Sequence, residues 1–307
     1  MIASWELHFI AGRTQKAKMT AALETKPIEQ DKRLLTPPVQ SAPCVPPITS
    51  LLAHRSIIKT MVVRDFQGRY RGSLLGALWP LIHPVGHLLL YTFVFCIVLK
   101  VRFGQDTSTS NFSLYLMAGL LAWGAISESL SRATTCILEV PNFVKKVVFP
   151  VEVIPIVVAL SAVTTQIGGL IILCACAAFY QGSLHASLLY LPVIMLPQIL
   201  FTVGFSWILA SLGVYIRDIR HVMSLALSVW MYMTPIVYPA SALPQNLKFM
   251  LWLNPVAGMV SDYRRILLEG QAPDFTGYAV YAAVALVLFV SGYYFFMSTK
   301  RSFADVM

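Results

Sequence analysis

The sequence predicts an all-α integral membrane protein. It has six transmembrane helices, an N-terminal amphipathic interface helix and two short re-entrant helices between spans five and six. Three observations predict it. Of 307 residues, 57% are hydrophobic and only 12% are Asp, Glu, Lys or Arg, with mean hydropathy +0.69; soluble domains carry about 25% charged residues. The charges are bunched between apolar runs long enough to cross ~30 Å of hydrocarbon at ~1.5 Å per residue. The basic residues are also distributed unequally between the two sides those runs define.

Residues 1–51 are polar, mixed in charge and rich in proline (Pro37, Pro38, Pro43, Pro46, Pro47), which predicts a flexible cytoplasmic tail. Residues 1–30 lack an apolar stretch of about 7–15 residues followed by a cleavage site, so no signal peptide is expected. Over 52–72, Leu52, Ile57, Met61, Val62, Phe66 and Tyr70 recur roughly every four residues. His54, Arg55, Lys59, Arg64, Arg69 and Arg71 lie between them. This is an amphipathic basic helix suited to the headgroup plane.

Six spans follow near 74–99, 112–133, 151–180, 187–214, 221–239 and 277–298. Pro80 and Pro84 predict a kink or broken start in the first. Gly72 and Gly76 form a small-xxx-small pair that would let it pack closely. With the N-terminus inside, all of the 23 Lys and Arg fall on the inner side except Lys100, Arg102, Lys248, Arg264 and Arg265. Both termini are therefore expected in the cytoplasm. Residues 240–270 are too apolar for an ordinary loop and too broken by Pro244 and Pro255 to span. Two short helices dipping into the membrane and returning fit best.

The net charge of +9 reads as topology and lipid contact rather than a nucleic-acid face, because the basic residues sit at the ends of apolar runs. No G-x-x-x-x-G-K-[ST], G-x-S-x-G or H-E-x-x-H is present. No catalytic residue is assigned, and nucleotide chemistry is expected on a separate polypeptide. Cys44, Cys96, Cys136, Cys174 and Cys176 read as small hydrophobes, not a disulfide framework or zinc site. His83 and His87 share a helix face but lack further ligands, so packing or pore polarity is expected there and no metal. Glu128 and Glu152 fall near the cytoplasmic ends of spans two and three. The lack of a charge at mid-bilayer argues against an ion-coupled carrier.

Two features admit alternative readings. Tyr91, Phe95, Trp123, Tyr232, Tyr238 and Trp252 suit either interfacial belts or a duct whose rings pack on the C–H faces of sugars. The loop from Cys136 to Pro150 reads either as a tight positive-inside connection or as a short amphipathic helix. In the second case it offers Phe143 to a partner's groove, flanked by Glu139, Lys145 and Lys146.

Four ordered blocks resemble the membrane permeases of type-2 ABC exporters for lipid-linked polysaccharide. They are RDFQGRYRGSLLGALW at 64–79, NFVKKVVFP at 142–150, YIRDIRH at 215–221, and TPIVYP at 234–239 followed by Leu243-Pro244 and Leu253-Asn254-Pro255. The ending Phe303-Ala304-Asp305 is similar too, so the resemblance covers about 52–307; the tail before residue 50 is longer than in shorter members. The resemblance implies a homodimer in the bacterial inner membrane above two ATPase subunits, which hold the ATP and magnesium; no cofactor is expected on this chain. It implies that Glu139, Asn142, Phe143, Lys145 and Lys146 form the coupling helix, and that 241–268 narrows the exit. Arg64, Arg69 and Arg71 would attract the pyrophosphate of the polyprenyl carrier, and the six aromatics above would line the glycan's path. O-antigen stands first among cargoes, ahead of capsule polymer, teichoic acid and drugs. A lipid-linked sugar transferase would need an acidic cluster, and Asp65, Glu139, Asp218 and Asp305 are scattered; a membrane scaffold is the third reading.

Overall fold

The computed structural model describes residues 46–98, 109–141, 143, 149–181 and 185–306. Among them every regular element is helical. Most of the tail expected over 1–51 lies outside the described residues, but its end is not irregular. Helix α1 (Pro47–Ala53) starts on Pro47, whose fixed φ and missing N–H suit a first turn. Helix α2 (Arg55–Tyr70) follows after His54.

Gly72 and Gly76 then take φ of 85° and 49°. An added Cβ on either would meet nothing within 4 Å. The pair therefore supplies the left-handed backbone of the turn that follows α2, and does not pack helices as the small-xxx-small spacing predicts. Helix α3 (Trp79–Tyr91) carries Pro80 in its first turn and contains Pro84. It continues as a π-wound stretch over Thr92–Val98, so the first predicted span starts later than residue 74 and is irregular, as its prolines require.

The remaining long helices are α4 (Thr109–Ala133), α5 (Val153–Gln181), α6 (Leu191–Tyr215), α7 (Ile219–Met233) and α10 (Phe275–Thr299). Between α7 and α10 lie α8 (Phe249–Leu253) and α9 (Pro255–Leu267). Short α11 (Phe303–Val306) closes the chain. Among the described residues four stretches, Phe112–Ala133, Val153–Tyr180, Ala186–Tyr215 and Phe275–Ser302, are long and apolar enough to cross a membrane. This is a multi-pass membrane protein. Helix α7 stops at Met233, short of the predicted 239, because Thr234 precedes Pro235 and is extended (φ −91°, ψ 133°).

Among the described residues two large clusters form the core, beside a small third one of Phe112 and Leu116. One joins α4, α5, α6, α7, α9 and α10 through residues such as Trp123, Leu170, Phe201, Leu227, Tyr263 and Tyr281. The other gathers at the end that carries the 134–150 connection, where Ile58, Ile137, Val157, Trp207, Phe296 and Phe303 meet. Phe303 thus fastens the chain's last helix into the bundle. Ile58, absent from the predicted apolar stripe, is the buried residue of α2, whereas Leu52 and Ile57 are exposed.

Helices α6 and α10 pack backbone to backbone. A Cβ on Gly204 would lie 2.5 Å from the carbonyl carbon of Leu288, and one on Gly292 would strike the Gly204 carbonyl. Lipid supplies no hydrophobic force between helices, so such close small-residue contacts carry association. Gly204→Ala is expected to cost about 1–3 kcal/mol by overpacking, measured as a lower midpoint of thermal aggregation in detergent. Gly124→Ala, whose Cβ would meet nothing within 4 Å, should leave that midpoint unchanged or slightly raised.

Candidate functional site

The inward face of α2 runs through Ile58, Met61, Val62, Asp65 and Arg69, at helical spacing. Its apolar half enters the second core cluster. Its charged half meets α4 and α5. Asp65 accepts from Arg69 of its own helix (Nη2 at 2.9 Å, Nε at 3.2 Å) and from Arg132 of α4 (2.8 and 3.2 Å). Ser161 of α5 donates to Asp65 at 2.5 Å and accepts from Arg69 at 2.7 Å. Glu128, one turn before Arg132, pairs with Arg69 and lies 3.8 Å from Arg132.

Two carboxylates and two guanidiniums therefore neutralise one another in a joint between three helices. Burial alone would raise the Asp65 carboxyl. The hydrogen bonds from Arg132 and Ser161, the charge of Arg132 and the hydrogen bond from Arg69 outweigh it and hold the group at about 2, against an ordinary 3.8. Arg64 and Arg71 are exposed and take no part in this joint. Of the three predicted phosphate-facing arginines, then, one has its donors engaged and two face outward.

The 134–150 connection leaves α4 immediately after Arg132. Thr134–Glu139 turns, and the exposed Glu139 accepts from Thr135 Oγ1 at 2.7 Å. The Phe143 ring lies 5.0 Å from that of Phe149. Asn142, Lys145 and Lys146 lie outside the described residues. Where the chain re-enters the bundle, the carboxylate of Glu152 is buried against Lys300 Nζ at 2.5 Å, and its carbonyl accepts from Trp207 Nε1 at 2.9 Å. The connection is thus tethered by an ion pair on each side, to α2 through Arg132 and to the end of α10 through Glu152.

The predicted aromatic residues fall in two places. Along α3, Trp79, His83, His87, Tyr91 and Phe95 stack at i,i+4 with centroids 5.1–6.4 Å apart, and Phe112 closes the ladder at 5.6 Å. His83, His87 and Tyr91 share a cleft of about 260 Å³ with Trp123, Glu128 and Gln166. Trp123 also stacks edge-on with Trp230 at 5.7 Å. Tyr232 and Tyr238 lie elsewhere, in a cavity of about 370 Å³ between α7 and the segment leading to α8; Tyr238 Oη donates to the Tyr232 carbonyl at 2.8 Å. Trp252 is 85% exposed and lines neither space. Among the described residues no group of three or more His, Cys, Asp or Glu is placed to hold a metal.

Asp65, Glu128, Arg132 and Ser161 are the residues that sequence reasoning missed. Asp65 and Arg69 at i,i+4 were a visible signal; the partners on α4 and α5 were not.

Residues 57–268 match the ABC-2 type transporter family. The chain is 30% identical over 260 residues to the O-antigen export system permease protein RfbA of Myxococcus xanthus, spanning 84% of this chain and 98% of the relative. Two Klebsiella pneumoniae proteins of the same name are each 28% identical over 251 residues, 80% of this chain and 92% of each relative.

Because the Asp65 carboxyl is held below its ordinary value, its contribution is fully present above about pH 4 and is lost only as pH falls toward about 2. Protease cleavage within α2 should accordingly be flat between about pH 5 and 8 in the unaltered chain. Asp65→Asn leaves two half-buried guanidiniums short of a partner, a loss of about 1–3 kcal/mol. Cleavage at Arg55, Lys59 and Arg64 should then be faster at every pH in that window.

Proposed function

From the premise that the chain belongs to the ABC-2 type transporter family, which its match over 57–268 shows, we propose a specific role within it. The chain is the permease of an ATP-driven exporter that moves a polyprenyl-diphosphate-linked polysaccharide, an O-antigen, across the bacterial inner membrane. It is a transporter membrane subunit and not an enzyme; the proposed assembly is a homodimer over two ATPase subunits, which bind the nucleotide and magnesium. The observation that carries this reading is the similarity, over 84% and 80% of this chain, to permeases named for O-antigen export.

In this reading the membrane is crossed six times, with both termini cytoplasmic. Helix α3 with its π-wound extension supplies the first crossing. Helix α7 is 15 residues long, about 22 Å at ~1.5 Å per residue, and the extended stretch 234–239 completes the fifth. Helices α8 and α9 form the re-entrant pair. Apolar side chains left exposed on α3 and α7 in the single chain, such as Leu89, Leu90, Leu225 and Val229, support a second copy on that side.

The pyrophosphate of the carrier meets Arg64 and Arg71 first, because their guanidiniums are exposed. Arg69 joins them only by exchanging Asp65 and Glu128 for phosphate oxygens. The α3 ladder, Trp123 and the Tyr232–Tyr238 pair offer successive ring faces to the sugar chain. ATP-driven closure of the partner subunits acts on Glu139, Asn142, Phe143, Lys145 and Lys146. The ion pairs on either side of that connection support this role, since they carry its displacement to α2 and α10 rather than letting it dissipate.

Loss of the chain should leave lipid-linked polymer inside the cell and none on the surface, with complementation restoring it; surface polymer persisting without the chain would contradict the proposal. Phe143→Ala should keep the complex assembled and hydrolysing ATP while export falls on the order of tenfold, a coupling loss of about 1.4 kcal/mol. Unchanged export would remove Phe143 from the coupling role.

A further inference from the structure

Helix α7 ends in a stretch of backbone that has left the helix yet stays buried: Thr234, Pro235 and Ile236 are all inaccessible. Within a membrane protein such backbone is tolerated only where other protein groups satisfy it. Thr234 Oγ1 accepts from Asn254 Nδ2 at 2.8 Å. The carbonyls of Pro235 and Ile236 accept from Arg264, at 2.6 Å from Nη1 and 2.7 Å from Nη2. The same guanidinium donates to the Tyr115 carbonyl (3.2 Å) and hydroxyl (2.8 Å) on α4, and its carbon lies 3.5 Å from the centre of the Tyr115 ring. Gly119, one turn along α4, leaves the room it occupies: a Cβ there would sit 2.8 Å from Nη2.

Helix α9, which carries Arg264, is itself immobilised by the two preceding residues. Tyr263 shares hydrogen bonds of 2.5 and 3.0 Å with Gln198 and Gln166, on α6 and α5. Asp262 accepts from Tyr281 Oη of α10 at 2.8 Å and from the Asp274 N–H at 2.9 Å. Helix α8 has no buried residue. The two re-entrant helices are therefore mechanically unlike, one a fixed post and the other a free arm.

We infer that Arg264 is the positioning residue of the exit: its planar fork holds the unwound end of α7 against the fixed α9, and so sets where Tyr232 and Tyr238 stand. This rests on the exporter reading for the word exit; the geometry it describes does not. A guanidinium spans two carbonyls and a ring face at once, which an ammonium cannot do. Hydrogen bonds to carbonyls can also be remade one residue along without melting a helix, so this joint permits the α7 end to shift.

The test reads geometry rather than export. Tyr238→Cys is placed in the unaltered chain and in Arg264→Gln and Arg264→Lys chains, and its labelling by a membrane-impermeant maleimide is measured in whole cells, with the labelling of the corresponding Tyr238 chains subtracted. Both Arg264 variants should raise labelling at least about threefold, while Trp252→Cys, already exposed, labels equally in all three. Unchanged Tyr238→Cys labelling in inserted Arg264→Gln protein would overturn the assignment, and wild-type labelling in Arg264→Lys would show that charge rather than the fork does the holding. If Arg264→Gln fails to insert, Gly119→Ala displaces the guanidinium without removing it and must raise labelling; no change there overturns the proposal equally. Loss of export with unaltered labelling would speak against Arg264 as a positioning residue, and altered labelling in the variants of a protein whose unaltered chain exports no polymer would leave it standing while refuting the exporter reading.

Discussion

Hydrocarbon offers no partner to a charge or a free backbone group, so each such group in this chain must be answered by another part of the chain. The joint around Asp65 gathers two carboxylates and two guanidiniums to answer one another, and the arrangement of the loop-bearing end depends on it. Arg69, Arg132, Glu128 and Ser161 gather three helices about one carboxylate. Without it α2 would retain only the apolar grip of Ile58, Met61 and Val62 on the bundle. The same demand is met at Gln166, Gln198 and Tyr263 deep among α5, α6 and α9, and at the unwound end of α7.

These joints divide the molecule into parts that move together and parts that can separate. Helix α2 is tied to the C-terminal end of α4, immediately before the proposed coupling connection, and Glu152 ties the far side of that connection to α10. A push on the connection is thus shared between the helix that presents Arg64 and Arg71 and the last span. Helices α6 and α10, in backbone contact at Gly204 and Gly292, form a unit too tightly packed to slide. Helices α3 and α7 bury little of their surface within one chain.

Hydrophobic run length located the long helices to within a few residues, because bilayer thickness constrains length more strictly than any local propensity. Boundaries failed where proline chemistry decides: α3 begins at 79 rather than 74, and α7 ends at 233 rather than 239. The apolar stripe on α2 was read from spacing alone, which cannot show which face meets the bundle; Asp65 and Arg69 occupy that inward face. Arg132 and Arg264 entered the sequence reading only as topology markers. Their partners lie 67 residues away at Asp65 and 149 away at Tyr115, separations at which periodicity carries no information. The close approach of Gly204 and Gly292 was hidden for the same reason.

Purification of the tagged chain from its own membranes in mild detergent, with mass spectrometry of what accompanies it, tests the account most directly. The expected result is a stoichiometric partner carrying a G-x-x-x-x-G-K-[ST] phosphate loop, because this chain has no such loop. Recovery of the chain alone, repeatedly and in several detergents, would contradict it.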